Sequence, residues 1–98
     1  MVDKMTERNR DIPRPFSFRG DGRGDIIEEA AVDHYEGWAP AIQVLRFENG
    51  EIGLRFCYYV NSGQIANRAL WLSEENIADL RREIARRPQV RRLLQQLL

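Results

Sequence analysis

The chain has one cysteine, one histidine and no apolar stretch near the roughly 20 residues that a membrane span requires. A lone thiol, Cys57, excludes an internal disulfide framework and removes any pointer to secretion. No apolar signal-peptide core follows Met1, so the cytoplasm is the expected compartment. Net charge is lacking as well: 15 basic and 15 acidic side chains cancel. That balance argues against a strongly electrostatic nucleic-acid binder. Ninety-eight residues make one domain. A chain this short buries only about 60% of the surface its unfolded form exposes, so oligomerisation is a realistic supplement to its stability.

What is present is unevenly spread. Residues 1–25 carry six basic and five acidic groups, residues 26–53 one and six, and residues 54–98 eight and four. The chain is acidic in its middle and basic toward its C-terminus. Residues 1–24 mix charges with Pro13, Pro15, Gly20, Gly22 and Gly24 and show no periodicity, which predicts a flexible N-terminal arm ahead of a single domain over 25–98. Ile26–Val32 reads as a short helix or strand, and Pro40 marks the entry to the sheet.

Two turn signals organise the next stretch. Asn49-Gly50 separates Ile42–Phe47 from Glu51–Val60, and Ser62-Gly63 separates that run from Gln64–Leu72. Taken as two-residue loops, they place Val44 opposite Arg55, Leu45 opposite Leu54, Val60 opposite Ile65 and Cys57 opposite Arg68. Alternation then sorts the side chains. One face carries Leu45, Phe47, Ile52, Leu54, Phe56, Tyr58, Val60, Ile65, Ala69 and Trp71 and reads as core. The other carries Ile42, Val44, Arg46, Arg55, Cys57, Tyr59, Arg68, Leu70 and Leu72.

After the sheet, Ser73 can cap a helix whose first turn holds Glu74 and Glu75. Ile77, Leu80 and Ile84 share a stripe, and Pro88 ends this helix near Arg87 and opens a second. The second stripe is Val90, Leu93, Leu94, Leu97 and Leu98. Burying such side chains contributes about 1.5–3 kcal/mol each, so they must pack on the sheet or on another subunit. The expected fold class is therefore α+β: an antiparallel sheet of three to four strands followed by C-terminal helices.

No catalytic motif stands out, and no enzyme activity or cofactor is expected. Arg19-Gly20-Asp21 and Arg23-Gly24-Asp25 spell an adhesion tripeptide, but a charged linker accounts for them, and the glycines lack the lysine-plus-hydroxyl context of a phosphate loop. Asp33, His34, Glu36 and Cys57 are metal-ligand types without the paired spacing of a zinc site. A His34–Cys57 catalytic pair would need a third, orienting group. The doubled arginines Arg81-Arg82, Arg86-Arg87 and Arg91-Arg92 spread around the helices and read as a solvated polar side, with a phosphate-contacting side as the alternative. Arg46, Arg55, Arg68 and Tyr59 are the sharper set, because arginines and an aromatic ring on one sheet face are a common way to hold single strands; the alternative is that these arginines cover a half-exposed sheet, their stems lying over Val44 and Leu70.

The order of elements, with "LWLSEENIADLRREI" after the strands, resembles the C-terminal domain of the positive cofactor 4 family of transcriptional coactivators, over roughly Ala41 to Arg87. The resemblance implies a curved sheet that binds single-stranded DNA and a helix that pairs two subunits, with a role in transcription. The family's basic segment before the last strand corresponds to Gln64–Ala69, where Arg68 is the basic residue. The blocks "YEGWAPAIQ" and "FCYYVNSGQ" are also similar to small prokaryotic proteins, a likeness that implies no activity.

Two functional expectations follow. In one, a homodimeric module holds a single nucleic-acid strand through Arg46, Arg55, Tyr59 and Arg68. In the other, a protein-interaction or dimerisation module works through Val90, Leu93, Leu94 and Leu97, without nucleic acid.

Overall fold

The computed structural model describes residues 11–18, 22–32, 37–61, 63–66, 70 and 72–98. Four strands, β1 (Arg14–Phe18), β2 (Gly22–Ala31), β3 (Trp38–Phe47) and β4 (Ile52–Val60), form one antiparallel sheet in chain order. Two helices follow, α1 (Glu74–Ile84) and α2 (Pro88–Leu97). The α+β class holds, but which segments form the sheet differs from expectation. Residues 14–18 and 22–24, assigned to a flexible arm, are strand. β1, which carries Pro15, lies at a sheet edge, where a missing N–H is tolerated. It is anchored by Phe16, which packs on Ile26 and Leu45, its ring 5.2 Å edge-on from Phe47. Close strand approach is needed here too: a Cβ at Gly24 would lie 2.0 Å from the Arg46 carbonyl oxygen.

Both hairpin registers are one residue away from those expected. The Gly50 N–H bonds Phe47 O at 2.8 Å, and the Phe47 N–H bonds Glu51 O at 2.8 Å. This is a type I turn closed by a glycine bulge, a three-residue loop. A two-residue type I′ loop would need positive φ at Asn49, whereas Gly50 alone in this turn has it, at 92°. Asn49 Oδ1 instead accepts from the Glu51 N–H at 2.9 Å. Val44 consequently faces Leu54, and Gln43 faces Arg55. The second hairpin repeats the device, with the Gly63 N–H on Val60 O and the Val60 N–H on Gln64 O. Tyr59, not Val60, lies opposite Ile65. Beyond that bridge the described residues continue no strand; Arg68, Ala69 and Trp71 lie outside them.

The shifted register redistributes the faces. Ile42, Val44, Leu54 and Phe56 share one side, on which α2 lies: Val90 is fully buried, packed with Ala30, Ile42 and Val44, and flanked by Leu93 and Leu94. A bulge in β2 between Ile26 and Glu28 turns Glu28 toward the helices. There Glu28 Oε1 accepts from the Val90 N–H at 2.7 Å. This remote carboxylate caps α2, whose own N-cap, Arg87, contributes no side-chain bond. α1 starts locally instead. Ser73 Oγ accepts from the Asn76 N–H at 3.1 Å, and Asn76 Oδ1 accepts from the Ser73 N–H at 3.0 Å. In α1 the buried positions are Asn76, Asp79 and Leu80, while Ile77, expected on the apolar stripe, is 52% exposed.

Candidate functional site

The side of the sheet away from the helices carries an unexpected polar row. Glu29, Gln43 and Arg55 lie side by side across β2, β3 and β4. Farther along β3 and β4, the small side chains of Ala39, Ala41 and Cys57 pack with Tyr59, and its hydroxyl reaches back to the row. Gln43 is the hub and has no exposure at all. Its Nε2 donates to Glu29 Oε2 at 2.7 Å and lies 3.1 Å from the Tyr59 hydroxyl, and its Oε1 accepts from Arg55 Nε at 2.7 Å. The Tyr59 hydroxyl donates to Glu29 Oε2 and accepts from Arg14 Nη2 at 2.6 Å. Arg14 stands on β1, at the other edge of the sheet from β4. The sheet is therefore curled enough for its first and last strands to meet over this face. Bulges of the kind seen in β2 favour such bending.

This geometry separates the four residues expected to hold nucleic acid. Arg46 points to the helix-bearing side, at the level of Ile52, and pairs with Asp25 at 3.7 Å. Arg55 and Tyr59 share the opposite side, bound into the polar row, and Tyr59 is only 3% exposed, which leaves no ring face on which a base could stack. Arg68 lies outside the described residues. The one-face premise of that expectation depended on the two-residue turn. A lone glutamine inside the apolar run Ile42–Leu45 was the one sequence signal of the polar row; Arg14 and Glu29 gave none.

The residues expected at a dimer interface also divide. Val90, Leu93 and Leu94 pack on their own sheet, whereas Leu97 is 67% exposed. Leu97 borders a groove of about 480 Å³ between α2 and β4, lined by Ile52, Leu54, Phe56 and Leu93 with Gln96 at the rim. Ile52 and Phe56 are 47% and 48% exposed. Backbone groups add to the exposure. Phe47 and Glu51 bond each other across β3 and β4, so alternation turns the groups of Gly53, Arg55 and Cys57 inward. Those of Ile52, Leu54 and Phe56 then point out from the sheet edge. The bond from the Ala66 N–H to Tyr58 O agrees with this parity. Among the described residues no strand pairs with that outer edge from Ile52 to Phe56.

Cys57 is buried, and loss of solvation, only partly offset by the Arg55 guanidinium, pushes its thiol up to about 11. A thiol held protonated is a poor nucleophile. It is expected to resist a disulfide-exchange reagent at pH 8 in the folded chain and to react fully in denaturant. Because the folded state binds this proton more tightly than the unfolded one, stability should fall as pH rises from about 9 to 11, by about 2–3 kcal/mol relative to Cys57→Ala. Urea unfolding of both proteins across that window checks the sign. Asp33, His34 and Glu36 lie outside the described residues; among the described ones no three metal-ligand types cluster, and no helix is long and apolar enough to cross a membrane. No family model matches the chain, and neither a curated protein nor a solved structure matches it.

Proposed function

We propose that this chain is a small self-associating interaction module in which two copies pair edge to edge through β4, with α2 flanking the seam. The observation that carries the reading is the outward-pointing backbone of Ile52, Leu54 and Phe56 beside half-exposed apolar side chains. Among the described residues this edge is unpaired from Ile52 to Phe56, such an edge is a template for another strand, and β4 carries no acidic or lysine side chain between Ile52 and Val60 to blunt it. A second copy is the occupant that fits. The chain has no net charge, so two molecules approach without net repulsion. The edge is also self-complementary. With Leu54 on the two-fold axis, outward-facing positions pair with one another, Ile52 meets Phe56 of the other copy, and Arg55 meets Gly53, which leaves room for the guanidinium.

Exposed surface of this kind contributes about 25 cal/mol per Å² buried, against a substantial cost of lost rigid-body freedom. Association in the micromolar range is therefore expected, not tighter. Sedimentation velocity at micromolar concentration should show a concentration-dependent dimer. The double variant Ile52→Lys/Phe56→Lys, which changes two half-exposed positions, should sediment as a monomer with an unaltered circular-dichroism spectrum. Wild-type protein that stays monomeric throughout, or a lysine variant that dimerises equally well, overturns the proposal.

A further inference from the structure

The curled face holds a second cavity, lined by none of Ile52, Leu54 and Phe56. It has a volume of about 250 Å³ and opens where β1 meets the end of β4, between Arg14, Phe16, Ile26, Arg55, Tyr59 and Ile65. At roughly 30 Å³ per water molecule, that is room for about eight waters or one small organic molecule. Mouths of curled sheets and barrels are favoured positions for such pockets.

Its chemistry is set by a shortage of acceptors. Three donors converge on Glu29 Oε2: Gln43 Nε2, the Tyr59 hydroxyl and, at 3.7 Å, Arg14 Nη2. The Gln43 carbonyl oxygen is taken by Arg55 Nε, and the Tyr59 oxygen by Arg14 Nη2. Arg14 Nη1 is enclosed and has no hydrogen-bond acceptor among the described residues. A buried charged donor without an acceptor is costly, and such groups call for explanation. The Arg55 guanidinium also stands 5.6 Å from the centre of the Phe16 ring, so cation, ring and cleft are arranged together.

We infer that this cleft binds a small monocarboxylate, with the Arg14 guanidinium as its anchor. A carboxylate supplies the missing acceptors and matches the forked geometry of arginine with two oxygens. The charge of the ligand is limited by Glu29, whose carboxylate lies 3.7 Å from the same guanidinium. A monoanion leaves the cluster of Arg14, Arg55 and Glu29 neutral, whereas a phosphate dianion adds repulsion against Glu29. Phe16, Ile26 and Ile65 offer apolar wall to a short aliphatic or aromatic tail.

The test is titration of the isotope-labelled full chain by NMR with acetate, butyrate and benzoate at constant ionic strength, and with inorganic phosphate in parallel. Butyrate or benzoate should shift the amides of Phe16, Tyr59 and Ile65 saturably and more tightly than acetate does. Arg14→Lys keeps the charge but loses the fork, and should weaken binding about tenfold. Ile65→Trp, at a half-buried wall position, should fill the cleft and abolish the shifts while the rest of the spectrum is retained. The inference fails if no carboxylate gives saturable shifts, if the shifts survive in Ile65→Trp, or if phosphate binds the same amides as tightly. Failure of the β4 dimer would leave this result untouched, because Ile52, Leu54 and Phe56, whose backbone and side chains carry the dimer reading, do not line the cleft.

Discussion

Glu29→Ala should destabilise the fold by about 3–5 kcal/mol, the usual cost of removing one partner from a buried charged pair. A domain of this size holds only about 5–15 kcal/mol in all, so the variant should be close to unfolding at room temperature. The size of the effect comes from what is left behind. Glu29 Oε2 is the acceptor for Gln43 Nε2 and the Tyr59 hydroxyl and lies beside Arg14 Nη2. Its loss takes the shared acceptor from Gln43 Nε2 and the Tyr59 hydroxyl, and the opposite charge from beside Arg14, on a face where Gln43 has no exposure and Tyr59 almost none. Glu29→Gln keeps a carbonyl acceptor and should cost clearly less. Urea unfolding followed by circular dichroism measures both. A Glu29→Ala midpoint equal to wild type would show that the row contributes no net stability.

Val90→Asp should be nearly as damaging, about 4 kcal/mol, because it puts a carboxylate where Val90 packs with Ala30, Ile42 and Val44 at zero exposure. It also adds like-charge repulsion. Glu28 Oε1 accepts from the backbone N–H of the same residue at 2.7 Å, so two carboxylates would crowd the start of α2. Leu97→Asp, two turns further along the same stripe but 67% exposed, should leave the unfolding midpoint within about 0.5 kcal/mol of wild type. Comparing the two by denaturation separates intramolecular docking of α2 from any role of its tip in association. Equal losses for both would contradict the packing of α2 described above.

Local rules were legible where the cause is local. Ser73 with Asn76 caps α1, and Pro88 opens α2, because both signals act within a single turn of chain. The α+β class and the apolar stripe of Val90, Leu93 and Leu94 followed in the same way, from periodicity alone. The two hairpins were legible as hairpins, since Gly50 and Gly63 mark their turns. Their loop lengths were not. Asn-Gly suits both a two-residue loop and a type I turn with a glycine bulge, and the two differ by one residue of register.

That single residue decided where the candidate site lies. Because side chains alternate, the shift moved Arg46 away from Arg55 and Tyr59 and brought Gln43 beside Arg55. The β2 bulge made a second change, putting Ile26 and Glu29 on one face and Glu28 on the other. Neither feature has a sequence period to announce it. β1 was hidden for a different reason. Pro13, Pro15 and the charges around them look like linker, and Phe16 gains its environment from Ile26, Leu45 and Phe47, residues 10 or more positions away. Strands β3 and β4, their turns, the Ser73 cap of α1, the Pro88 start of α2 and the stripe of Val90, Leu93 and Leu94 are set by interactions within a few residues. The register, the curl that joins Arg14 to Tyr59 and, among the described residues, the unpaired outer edge of β4 from Ile52 to Phe56 depend instead on which distant strand a residue meets.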